Sequence, residues 1–149
     1  QEIPKDADEI LYNLSLDGVT PVIAHPERNL DIIRHPARAY TFARKGYLLQ
    51  MNSGSITGRF GKTVKKTAKL LLDHNCIHAV GSDCHHVKKR PLLLSSARKV
   101  VSSRWGEERA GKLFMENPEN IIAGRSFDFP GPVSFRRKKG IRSLIRKFL

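Results

Sequence analysis

Three short apolar runs constrain this chain most: Val19 to Ala24, Tyr47 to Met51 and Ile77 to Val80. Each has strand length, and each is separated from the next by a stretch with helical spacing of its apolar residues. Strands joined through a helix cannot form a hairpin, so they lie parallel with crossover connections. The pattern predicts an α/β fold of parallel βαβ units, with function at the carboxyl ends of the strands.

The helical stretches are clear. Asp6 to Leu16 places Ile10, Leu11 and Leu14 on one side, has acids in its first turn and meets Gly18 just past its end. A second helix runs from about Pro36 to Lys45 with Gly46 as its stop, and a third from Thr63 to His74. Pro91 to Val101, Glu107 to Met115 and Asn117 to Gly124 are expected to cover the sheet. Val19 to Ala24 reads as a buried strand, and Asn52 to Gly61, rich in glycine and hydroxyls, as a loop.

Hydrophobic residues make up 40% of the 149, enough for one core. The pattern places a folded domain at 1–129. Pro130-Gly131-Pro132 then begins a linker to a basic amphipathic helix, with Ile141, Leu144, Ile145, Phe148 and Leu149 at helical spacing. Of the net charge of +13, seven positives come from Arg136, Arg137, Lys138, Lys139, Arg142, Arg146 and Lys147, so the excess reads as largely a property of this tail. Two cysteines, Cys76 and Cys84, make no disulfide framework, and no apolar run approaches membrane-spanning length. A cytoplasmic protein is expected, with the basic helix bringing it to the inner face of the membrane. The start at Gln1 has neither initiator Met nor signal peptide and reads like the middle of a longer protein.

Two polar clusters follow the first and third apolar runs. His25-Pro26-Glu27-Arg28 closes one, and Ser82-Asp83-Cys84-His85 the other. In extended backbone, positions i and i+2 share a face, so Asp83 and His85 present a carboxylate and an imidazole together, a donor pair suited to Mn, Zn or Fe. Taken singly, His25, Asp83 and His85 have ordinary explanations as strand-end, turn-capping and exposed residues. Two such clusters, each ending a strand, point to one site.

These clusters, the intervening Gln50-Met51-Asn52-Ser53-Gly54-Ser55-Ile56-Thr57-Gly58-Arg59-Phe60-Gly61, and Arg90 resemble the bacterial PHP-domain tyrosine-protein phosphatases that regulate capsular and exopolysaccharide synthesis. The resemblance implies the carboxyl-terminal portion of a distorted TIM-like β/α barrel of the PHP type, lacking its amino-terminal strands. It implies divalent metal ions, manganese foremost, and hydrolysis of phosphotyrosine on a membrane-associated bacterial tyrosine kinase. On the matching positions, His25, Asp83 and His85 are metal ligands, and Arg28 and Arg90 hold phosphate through planar guanidinium forks. Glu27, Ser55 and Arg59 belong to the supporting shell or the substrate loop. Asn29 and Cys84 stand where the family has an aromatic and an alanine, and the family's amino-terminal H-x-H motif has no counterpart here. The chain is therefore expected to be an incomplete, weakly active or inactive piece of an active enzyme.

Three other readings remain to be weighed. Cys84 and Arg90 fit the C-x5-R spacing of cysteine-dependent phosphatases, but the residues between them hold no glycine to shape a phosphate loop. Within the metal phosphoesterases a histidinol-phosphate-type PHP enzyme is the nearest competitor, and in this sequence the loop 50–61 alone discriminates against it. A non-catalytic basic module for anionic membrane or nucleic acid would use residues 134–149, although no zinc-finger, RNP-like or helix-turn-helix signature accompanies them.

Overall fold

The computed structural model describes residues 2–86 and 92–135. Arg90 and the basic tail from 136 onward lie outside the described residues, and so does the start of the helix expected from Pro91.

Three parallel strands form the sheet, β1 (Val22–Ala24), β2 (Leu48–Asn52) and β3 (Ala79–Gly81), in the order β1-β2-β3. Val22 pairs with Leu48, and Gln50 with Ala79, so all three carboxyl ends lie along one edge of the sheet. The first crossover carries α2 (Leu30–Arg34) and α3 (Ala37–Arg44). The second carries α4 (Ser53–Thr57) and α5 (Lys62–Asp73). After β3 come α6 (Ser95–Trp105), α7 (Glu107–Gly111), a π-helical turn over Lys112–Glu116 and α8 (Asn117–Ile122), while α1 (Ala7–Leu16) precedes the sheet. The parallel crossover arrangement is the one expected from the spacing of the apolar runs.

The core forms where crossover helices meet the central strand. Leu49 and Met51 of β2, Phe42 of α3, Leu71 of α5, Ile77 and Leu113 are all fully buried. Each such side chain contributes about 1.5–3 kcal/mol on burial, so this cluster holds the strand ends in place. The chain beyond α8 also lies on this body. Val133 N–H donates to the His74 carbonyl at 2.8 Å, Phe135 stacks on the His74 ring at 3.9 Å, and Phe129 meets His78 at 4.9 Å.

Two local expectations need correction. The stretch from Val19 is not a buried strand: only Val22–Ala24 is extended, and Val19 and Val22 are exposed. β1 has a strand neighbour on one side only among the described residues, and no residue of α1 is buried. Apolar composition was read correctly there, but composition does not say what covers it. The stretch 52–61 is not simply a loop either, because Ser53–Thr57 forms the short helix α4, closed by Gly58 at φ 94°. Its residues are poor helix formers, and contacts distant in sequence override that propensity.

Candidate active site

The first strand tip turns sharply. Pro26 disfavours the right-handed helical region for the residue before it, and His25 takes the left-handed one, at φ 39° and ψ 53°. That conformation costs a residue with a side chain about 1–2 kcal/mol. Its N–H still donates to Gln50 O at 2.7 Å, so the sheet fixes where the turn begins. Pro26–Arg28 then forms one 3₁₀ turn, and the Asn29 side chain caps α2 by accepting the Asp31 N–H at 2.9 Å.

At the third tip Asp83 is also left-handed, at φ 51°. His25 and Asp83 are two of the three non-glycine residues with positive φ among those described, the third being Asn75 after α5. Strain of this kind concentrates where a side chain must be aimed.

The two tips meet directly. Arg28 Nη1 lies 3.3 Å from Asp83 Oδ2, and the Arg28 guanidinium sits 4.3 Å from the centroid of Phe60. From the tip of β2, buried Asn52 donates its side-chain amide to the same Asp83 oxygen at 2.9 Å. All three strand ends thus converge on one carboxylate.

His85 follows two residues later and is exposed. Its Nδ1 is 2.9 Å from the Asp83 carbonyl and 3.4 Å from Asp83 Oδ1. A carbonyl only accepts, so this bond requires a proton on Nδ1 and, in the neutral ring, leaves the lone pair on Nε2, the tautomer that can ligate a metal.

Beneath these groups lies Glu27, fully buried. Its Oε1 accepts the Ser55 hydroxyl at 2.5 Å and the Asn52 N–H at 3.1 Å, whereas among the described residues Oε2 has no partner. Burial pushes its carboxyl pKa up, against the lowering effect of those hydrogen bonds. Glu27 ties the β1 tip to the β2 tip and to α4. Ser53 anchors the other end of α4 by donating to Leu93 O at 2.8 Å. Arg59 lines a cavity of about 50 Å³ between α4 and α6, together with Ser53, Thr57, Ser82 and Ser96.

The expected site residues are therefore distributed as follows. Arg28 and Asp83 are in contact, His85 borders Asp83, and Glu27 and Ser55 bond each other under the strand tips. His25 stands at the β1 tip with its backbone tied to β2. Among the described residues, no three His, Cys, Asp or Glu side chains gather closely enough to hold a metal ion. The donors present are of the hard nitrogen and oxygen kind that suits Mn, Zn or Fe, but as a set they are incomplete. Cys84 is exposed, whereas burial pushes the Cys76 thiol up to about 12. Sequence reasoning missed Asn52. Its position at the carboxyl end of the second apolar run was the available signal, obscured by reading it as the first residue of a loop.

A family model described as capsular polysaccharide synthesis, CpsB/CapC, matches residues 3–123. The chain belongs to this family. Tyrosine-protein phosphatase YwqE of Bacillus subtilis is 37% identical over 92% of this chain and 54% of its own length. Tyrosine-protein phosphatase CpsB of Streptococcus agalactiae is 36% identical over 79% of this chain and 51% of its own. A solved chain from the crystal structures of YwqE from Bacillus subtilis and CpsB from Streptococcus pneumoniae, described as unique metal-dependent tyrosine phosphatases, matches with a TM-score of 0.85 at 37% identity. That match covers 91% of this chain and 55% of the solved one. The chain spans about half the length of the curated relatives it matches.

Proposed function

We propose that this chain supplies half of the active site of a metal-dependent phosphatase that removes phosphate from tyrosine on a bacterial tyrosine kinase controlling capsule or exopolysaccharide synthesis. The carrying observation is the meeting of Arg28, Asn52 and Asp83 from three strand tips, an arginine beside a held carboxylate at the functional edge of a parallel sheet. In this reading the sheet belongs to a distorted β/α barrel of the PHP type. His25, Asp83 and His85 contribute metal donors, and the rest of the donor set comes from outside residues 1–149. The bound ions, manganese foremost, would supply an activated water.

This chain's own residues do the remaining work. Asn52 and Arg28 hold Asp83 Oδ2, fixing the carboxylate plane. Arg28 offers charge to the phosphoryl oxygens, held flat by Phe60, and Arg90 is assigned the same task. Glu27 and Ser55 keep the β1 and β2 tips in register. Cys84 takes no part. No helix among the described residues is long and apolar enough to cross a membrane, and a peripheral position on its inner face is part of the same proposal.

The test is a chimera in which residues 1–149 replace the matching region of the Bacillus subtilis relative. With manganese and a phosphotyrosine peptide, turnover is expected from the chimera. EDTA and Asp83→Ala should abolish it, and Cys84→Ser should leave it intact. The purified 149-residue chain alone should show none. A soluble, folded chimera without chelator-sensitive turnover, or one silenced by Cys84→Ser, overturns the reading.

A further inference from the structure

The net charge conceals a segregation inside the folded body. Residues 1–31 carry seven acids against Lys5 and Arg28, whereas Ile32 to Leu72 carries nine Lys and Arg and no acid. Basicity is therefore not only a property of the tail.

Part of this excess is used internally. Arg34 pairs with Glu2 at 3.1 Å, Arg38 with Asp8 at 3.5 Å and Lys45 with Asp8 at 2.9 Å. On α5 the situation differs. Lys62, Lys65, Lys66 and Lys69 recur at i, i+3, i+4 and i+7, a spacing that places them on one helix face. All four are exposed, and among the described residues none of them forms an ion pair.

This face borders a cavity of about 220 Å³ lined by Ile56, Leu72 and Val100, with Lys65, Lys69 and Arg104 at its edge and Trp105 as a wall. The wall is fixed, since Trp105 Nε1 donates to Asp73 Oδ1 at 2.9 Å, and Arg104 packs 5.0 Å from the indole centroid. Arg104 also lies 3.6 Å from Asp73, which partly neutralises it. The two lysines are left as the uncompensated charges of the rim. An apolar floor, a pinned aromatic wall and a cationic rim select an occupant that is apolar at its centre and anionic at its flanks.

We propose that α5, α6 and Trp105 form a docking surface for an acidic segment of a protein partner. One apolar or aromatic side chain of that segment enters the cavity, and neighbouring carboxylates lie on Lys65 and Lys69. The inference goes beyond the phosphatase reading. The two are joined by α4, which presents Ile56 to this cavity and Ser55 to Glu27.

The experiment reads binding without turnover, so it stands or falls apart from that reading. A fluorescein-labelled peptide of Glu and Ser with one central Tyr is titrated with the 149-residue chain at low salt, followed by anisotropy. K65E/K69E is expected to weaken binding about tenfold or more, and a Tyr→Ser peptide to bind several-fold more weakly. R34E/R44E, which changes net charge equally on other helices, should have a much smaller effect. All these positions are exposed, and circular dichroism checks that the variants fold. The proposal is overturned if the peptide does not bind, if both double variants weaken it equally, or if its Tyr is dispensable. It is equally overturned if phosphatidylglycerol vesicles or single-stranded DNA, rather than the peptide, lose binding selectively in K65E/K69E.

Discussion

Arg28 and Asp83 leave opposite edges of a three-stranded sheet, and their Nη1 and Oδ2 atoms come within 3.3 Å. The contact is half-exposed, so as a stabilising ion pair it is worth at most about 1 kcal/mol. Its value lies in placement, because Phe60 under the guanidinium holds the plane that a phosphoryl group would meet.

Arg28→Lys should therefore separate stability from activity. Lysine keeps the charge but loses the planar fork and the stacking. In the chimera described above, kcat/KM toward a phosphotyrosine peptide is expected to fall about 10²–10³-fold, the typical effect of removing one transition-state donor. Thermal unfolding should barely move.

Asn52→Ala should act on both. It removes the Asn52 side-chain amide that donates to Asp83 from β2 and opens a buried gap, with an expected stability loss of about 1–3 kcal/mol by urea unfolding. Manganese affinity of the chimera, read by calorimetry, should fall about 10–100-fold, as when a ligand loses its orienting partner. Unchanged affinity would show that Asp83 needs no such support.

Glu27 distinguishes shape from charge. Glu27→Gln retains an oxygen for Ser55 and the Asn52 N–H and removes the cost of a buried carboxylate, so unfolding stability at neutral pH should hold or rise. Glu27→Ala strands both donors and should cost about 1–3 kcal/mol for each group left unpaired.

The burial of His78 adds an acid sensitivity to folding. Its Nδ1 accepts the Leu49 N–H at 3.1 Å, and burial depresses its pKa from 6.5 to about 4. The unfolded chain thus takes up this proton before the folded one does. Its contribution is complete above about pH 6.5 and is lost progressively down to about pH 4, by roughly 3 kcal/mol in all. The raised carboxyl of Glu27 works in the opposite sense, its penalty easing as pH falls. Urea unfolding across this range should show the slope, and His78→Gln should flatten it.

The sheet was legible because strand-length apolar runs and helical spacing are local signals, and parallel pairing follows from the connections between them. The convergence of the β1 and β3 tips followed from the same topology. Three features could not be read. α4 exists through Ser55 bonded to Glu27 and Ser53 bonded to Leu93, partners distant in sequence. Asn52 acquires its role only once Asp83 is beside it. The exposure of Val22 depends on what lies past β1, which apolarity alone does not report.

That last feature sets how the isolated polypeptide behaves. Among the described residues no strand pairs with the outer side of Val22–Ala24, and Ile10 of α1, which lines a cavity together with these residues, is exposed. A bare margin of this kind recruits whatever extended backbone is at hand. In concentrated solution the available backbone is that of identical molecules, so light scattering from the isolated polypeptide is expected to show self-association that increases with concentration.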